Sequence, residues 1–142
     1  MKNPKDDSIE HIECDVLAEH SGARVVIRRA IGKVYDALDD RAQGRLSAVM
    51  KRWCEDPSLL TAEMFNGNEG RSSRHNMMLQ AFKNNAAKLR LYGFSFPVAN
   101  KKTFIIVDAD TAKKQNKADP KILKRAKSRI DDFLDEYGKK ED

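Results

Sequence analysis

The chain has 142 residues, of which 40% are apolar and 35% charged, and a net charge of +5. That length suits one domain with a real core, and the composition is that of a globular protein with a heavily solvated surface. No run of about 18 apolar residues occurs, the opening MKNPKDDSIEHIE lacks the apolar stretch of a signal peptide, and Cys14 and Cys54 form neither a CxxC pair nor a disulfide framework. A cytoplasmic location without membrane contact is the expectation.

The charge is unevenly spread. Residues 1–20 carry two lysines against six acids, while Arg71 to Arg129 hold fifteen Lys or Arg against only Asp108, Asp110 and Asp119. A basic block of this density gathers polyanions and speeds their encounter. Nucleic acid or an acidic protein is therefore expected as partner, ahead of a merely solvated surface.

Residues 1–22 read as an acidic arm, with Ile9, Ile12, Val16 and Leu17 at helical spacing and Ser21-Gly22 closing it. Ala23 to Arg29 has the β-branched run of a strand. Tyr35, Leu38, Ala42, Leu46, Val49, Met50 and Trp53 then form one apolar helical stripe. Asp39-Asp40 breaks it or begins a second helix, and Asp56-Pro57 stops it. Residues 61–76 are polar and glycine-rich, a long loop of the kind that carries function. Met77 to Lys83 is a candidate strand. Lys88 to Phe96 alternates, with Leu89, Leu91, Gly93 and Ser95 on one face and Lys88, Arg90, Tyr92, Phe94 and Phe96 on the other. Pro97 to Asn100 turns the chain into Thr103 to Val107, apolar as a central strand should be. After the basic turn 113–117, Asp119 stands at an N-cap position and Pro120 at the first helical one. Ile122, Ala126, Ile130, Phe133 and Tyr137, flanked by Leu123 and Leu134, give the last helix its buried stripe. Helices grouped before an antiparallel sheet indicate an α+β fold.

The residue inventory excludes several chemistries. There is no GxxxxGK(S/T) or GxGxxG loop, no HExxH, and no GxSxG elbow. His11, His20 and His75 are scattered, and Asp108 and Asp110 sit among lysines, so no metal site is expected. Asp131-Asp132 reads as a solvated pair on the outer face of the last helix. What remains is a surface of Lys, Arg and Tyr with one loop histidine. Such groups can cleave RNA without a metal: one takes the 2′-OH proton, one protonates the leaving 5′ oxygen, and cations hold the phosphorane charge. A lysine among other cations has its pKa lowered and can act as base near neutral pH.

The stretch 79–134 resembles the RelE/HigB superfamily of toxins from type II toxin–antitoxin pairs, most closely its phage-derived HigB-like branch. The resemblance is carried by Phe82-Lys83, by Leu89-Arg90-Leu91-Tyr92-Gly93-Phe94, by Phe104 to Val107, by Lys113-Lys114-Gln115, and by Pro120 with Ala126 and Arg129. It implies a RelE/ParE-like small antiparallel sheet with N-terminal helices on one face and a C-terminal helix, occupying residues 23–138 and leaving a tail at 139–142. It further implies a ribosome-dependent mRNA endonuclease without cofactor, contacting mRNA and ribosomal RNA and neutralised by a cognate antitoxin. On the matching positions the catalytic candidates are Arg90, Tyr92 and Lys83. Lys113 and Lys114 are RNA-docking candidates, joined by Lys88 and Lys117. Arg71 and Arg74, in the loop before the sheet, are further RNA-binding candidates, and His75 in the same loop is a further catalytic acid–base candidate. The plainer readings are that Arg90 and Tyr92 line the sheet or pack beneath a helix, that Lys113 and Lys114 belong to a solvated turn, and that His75 is incidental. Two rival functions stand beside cleavage: a regulator that holds nucleic acid or protein without catalysis, and a gyrase-directed relative on the same fold.

Overall fold

The computed structural model describes residues 11–84, 87–111 and 118–141. The first strand, β1 (Cys14–His20), turns through Ser21 and Gly22 into β2 (Ala23–Arg28) and pairs with it antiparallel. Both turn residues have positive φ, 54° for Ser21 and 78° for Gly22, the geometry of a two-residue hairpin whose twist matches its strands. The helical spacing of Val16 and Leu17 is thus overridden. The edge of β2 that β6 does not take offers backbone partners, and Cys14 is a fully buried anchor.

From β2 the chain passes directly into α1 (Arg29–Asp36) and then α2 (Asp40–Glu55). Asp39 separates them by capping α2, its carboxylate accepting from Ala42 N at 2.8 Å. Asp56 leaves helical geometry before Pro57, as the sequence implies. A single 3-10 turn (Pro57–Leu59) leads to a short β3 (Phe65–Asn66). The remaining strands are β4 (Gln80–Asn84), β5 (Leu89–Ser95) and β6 (Lys102–Asp110), followed by α3 (Pro120–Glu141).

The strands form one six-stranded sheet in the order β1-β2-β6-β5-β4-β3. It is mixed and not purely antiparallel, because β2 runs parallel to β6 while every other pair is antiparallel. The parallel pair arises because α1 and α2 carry the chain across to β3 at the far edge, from which β4, β5 and β6 step back antiparallel until β6 lies beside β2. The fold is α+β, with α1 and α2 on one face and α3 on the other. Under α2, Trp53, Phe82 and Phe104 pack edge-on or tilted around Leu46, Met50 and Ile106. Under α3, Ala126, Ile130 and Phe133 cover Ala81, Phe94, Ile105 and Val107.

The alternation expected in β5 is observed. Leu89 and Leu91 face α2, and Tyr92 and Phe94 face α3. A register shift after Tyr92 lets β6 carry one extra residue, so Asp108 lies opposite Tyr92 and Asp110 opposite Arg90. Gly93 sits at this irregularity, where a Cβ would come within 2.2 Å of the Ile105 carbonyl oxygen. The extra residue brings both aspartates to the face that α3 covers.

Candidate nucleic-acid interface

The N-terminal half of α3 is the most cationic element described. Asp119 caps it by accepting from Lys121 N at 2.9 Å, and Pro120 occupies the first position, where a missing N–H costs nothing. No acid lies in its first turn, so Lys121, Lys124, Arg125, Lys127 and Arg129 add to the positive end of the helix dipole. Arg125 and Arg129 share the single negative charge of Asp108: Arg125 donates two bonds of 2.8 Å to its carboxylate, and Arg129 approaches it at 2.9 Å. Lys121 and Lys124 are exposed and have no ion pair among the described residues. Lys113, Lys114 and Lys117, expected to dock RNA just before this helix, lie outside the described residues.

Arg90 and Tyr92 share the α3 face of β5, but both are buried, at 5% and 0% exposure. Arg90 meets Glu69 at 2.9 Å, with both side chains more than nine-tenths buried. Burial pushes the Tyr92 phenol up to about 12, with the Glu69 charge adding to the effect and Arg90 opposing it. In this conformation neither residue presents a polar atom to a ligand, matching the reading in which they pack beneath other elements. Lys88, also expected to touch RNA, is exposed just before β5 with φ of 53°.

The polar loop before the sheet is more ordered than its composition suggests. Glu69 N donates to Leu79 O at 2.7 Å, Leu79 N to Gly70 O at 2.8 Å, and Ser72 N to Met77 O at 2.9 Å. These bonds extend the β3–β4 hairpin into a strap that crosses to α3. Gly70 suits the crossing: its φ is +99°, a conformation L side chains rarely adopt, and a Cβ there would stand 2.6 Å from the Lys127 ammonium. At the tip, Asp131 accepts from Arg74 N at 3.0 Å and His75 N at 3.1 Å. Asp131 is only 1% exposed, so it is not the solvated residue its helical position suggested. The strap supplies the donors that make its burial tolerable. Burial raises its carboxyl pKa, but the bonds from Arg74 N, Ser72 and His75 N outweigh that and hold it below the usual range. Around it, Arg74 pairs with Asp132 at 3.0 Å and Asp135 at 2.8 Å, and His75 Nε2 meets Asp135 at 2.8 Å. Arg71 donates to Asn76 O within the strap at 2.7 Å. Arg71, Arg74 and His75 thus make local bonds that hold the strap, and they do not converge on Tyr92.

Lys83 lies near the end of β4, directly opposite Arg90 in register. Its ammonium donates to Ala62 O at 2.7 Å. Desolvation, then the Arg90 charge, holds its pKa below the ordinary lysine value. Lys83 lines a hollow of about 430 Å³ between α2 and the end of β4, together with Arg45, Arg52, Glu63 and Asn84. A second hollow of about 320 Å³ shares Arg45 and Asn84 and adds Arg41. Sequence reasoning missed the arginines of α2, although their spacing of four and seven places them on one helical face.

Both cysteines are buried. Burial pushes the Cys14 thiol to about 12 and the Cys54 thiol to about 11, so neither is a ready nucleophile. Among the described residues no group of three or more His, Cys, Asp or Glu could hold a metal, and no helix is long and apolar enough to cross a membrane. The chain matches no protein-family model, no curated protein and no solved structure to a significant degree.

Proposed function

We propose that this chain is an RNA-binding domain of the RelE/HigB toxin kind, engaging mRNA on the ribosome through a cationic surface and silenced by a partner protein that covers it. The observation that carries this reading is the cluster on the first turns of α3. Lys121 and Lys124 stand exposed and unpaired among the described residues, on a helix end whose dipole is also positive. Like charges crowded at that end repel one another, and a row of phosphates relieves the repulsion. The test is RNA binding by the wild type and by a Lys121→Ala/Lys124→Ala variant across a salt series. The variant should bind more weakly and with a shallower salt dependence, the slope falling by roughly 0.7 for each phosphate that the helix no longer neutralises. Equal binding by both proteins would remove α3 from the interface.

A second reading adds metal-free cleavage of the bound RNA, and Lys83 favours it. Its lowered pKa makes a larger neutral fraction available as a base than an ordinary lysine has, and arginines beside it could hold phosphorane charge. Induced expression followed by mapping of mRNA 5′ ends tests this. Cleavage should vanish in Lys83→Ala and also in Lys83→Arg, which keeps the charge but cannot serve as a base, while both variants still bind RNA. Undiminished cleavage by the folded variants would exclude Lys83. Buried Arg90 and Tyr92 would act in such a reaction by positioning.

A further inference from the structure

The α2 face holds a feature that the α3 surface does not explain. Arg41, Arg45 and Arg52 are all exposed, and Arg41 and Arg45 have no carboxylate partner among the described residues. Arg52 reaches the Met64 sulfur, at 3.9 Å, and no carboxylate among the described residues. Helical rise spaces Arg41 from Arg45 by about 6 Å and Arg45 from Arg52 by about 10 Å along the helix. They border the two adjoining hollows, whose shared wall is Arg45 and Asn84. Asn84 is 7% exposed, and its Oδ1 already accepts from Ala87 N at 3.2 Å, so its amide nitrogen is what it can offer a ligand. Among the described residues Glu63 is the one carboxylate lining the larger hollow. In the smaller one, Asp39 is engaged in capping α2.

We infer that the groove between α2 and the end of β4 is a second RNA subsite, which takes a single strand with its phosphates along Arg41, Arg45 and Arg52 and a nucleotide's polar edge against Asn84 and Glu63. Guanidinium forks match phosphate oxygens in pairs. An acidic peptide would meet the same arginines, but its carboxylate side chains offer Glu63 no donor. A nucleotide carries both acceptors for the arginines and N–H or 2′-OH donors for that carboxylate. The groove lies beyond the described α3 cluster, on the other face of the sheet, so a strand using both sites would wrap around the β4–β5 end.

This inference rests on the RNA reading above, and its test separates the two. Fluorescence anisotropy of a labelled single-stranded RNA of roughly 12 nucleotides is measured with wild type, the Arg41→Ala/Arg45→Ala/Arg52→Ala variant and the Lys121→Ala/Lys124→Ala variant, with polyglutamate as competitor. All three arginines are exposed, so circular dichroism and melting should stay unchanged. The arginine variant should bind at least about tenfold more weakly at moderate salt, with a salt slope lower by about 2. If wild type binds and the arginine variant binds equally with the same slope, the groove is not an RNA subsite although the RNA reading stands. If wild type binds no RNA, both fall. Displacement of the RNA by polyglutamate from wild type but not from the arginine variant would assign the groove to an acidic protein and overturn the inference.

Discussion

Two residues show how closely the centre of the sheet is determined. Gly93 leaves no room for a methyl group, since the Ile105 carbonyl oxygen and the Phe104 ring occupy that space at 2.2 and 2.6 Å. Gly93→Ala should cost about 1–3 kcal/mol or more in urea unfolding, because the obstruction includes backbone and cannot rotate away. Glu69 is the second. Its ion pair with Arg90 is buried on both sides, so Glu69→Ala would leave a guanidinium in a dry setting opposite Asp110. A loss of about 3 kcal/mol is expected, and Glu69→Gln, which can still accept a hydrogen bond, should lose less. Both the alternation that places Arg90 on the Tyr92 face and the apolar run of β6 are legible in the sequence. That this face is closed over is not. Arginine and tyrosine on a strand read alike whether covered or open, and the cover comes from Glu69, twenty-one positions earlier.

At the level of elements, the strap ties the β3–β4 hairpin to α3 through carboxylates with depressed pKa values. Asp131 is lowered by backbone and Ser72 donors that outweigh its burial, and Asp135 is lowered by His75 and then Arg74. A carboxyl held below its unfolded pKa contributes stability that is fully present above that unfolded value, near pH 4, and is lost as pH falls through the folded one. Amide exchange in residues 70–78 should therefore accelerate below about pH 4 while the β5–β6 amides stay protected. Uniform acceleration across both regions would show that the strap does not open on its own. The strap's composition, rich in Gly, Asn and Ser, reads as loop, and its cross-bonds depend on distant α3. The β1–β2 hairpin escapes the sequence for another reason. Val16 and Leu17 fit a helical period over too short a window, and Ser21-Gly22 ends a helix as readily as it turns a hairpin. By contrast, α3 is legible almost residue by residue, because Asp119, Pro120 and the stripe from Ile122 to Tyr137 all agree.

Across the whole molecule, charge is segregated by face and by end. α3 begins with lysines and arginines and continues with Asp131, Asp132, Asp135 and Glu136, which the strap and Arg28 partly neutralise. In its cationic half Lys121 and Lys124 stand exposed without an ion pair among the described residues, and the arginines of α2 line a groove on the opposite face. The excess of positive charge between Arg71 and Arg129 is plain in the sequence, but its division into internal bonds and open surface requires the fold. Arg74, Arg90, Arg125 and Arg129 are engaged by carboxylates, whereas Lys121 and Lys124 have no such partner among the described residues. RNA affinity of the purified chain as a function of salt tests this most directly. Log affinity should fall linearly with log salt, at a slope of about −0.7 for each phosphate held, and the slope should shrink when Lys121 and Lys124 are replaced. Absence of RNA binding at low salt, or an affinity indifferent to salt, would contradict an RNA-directed cationic surface.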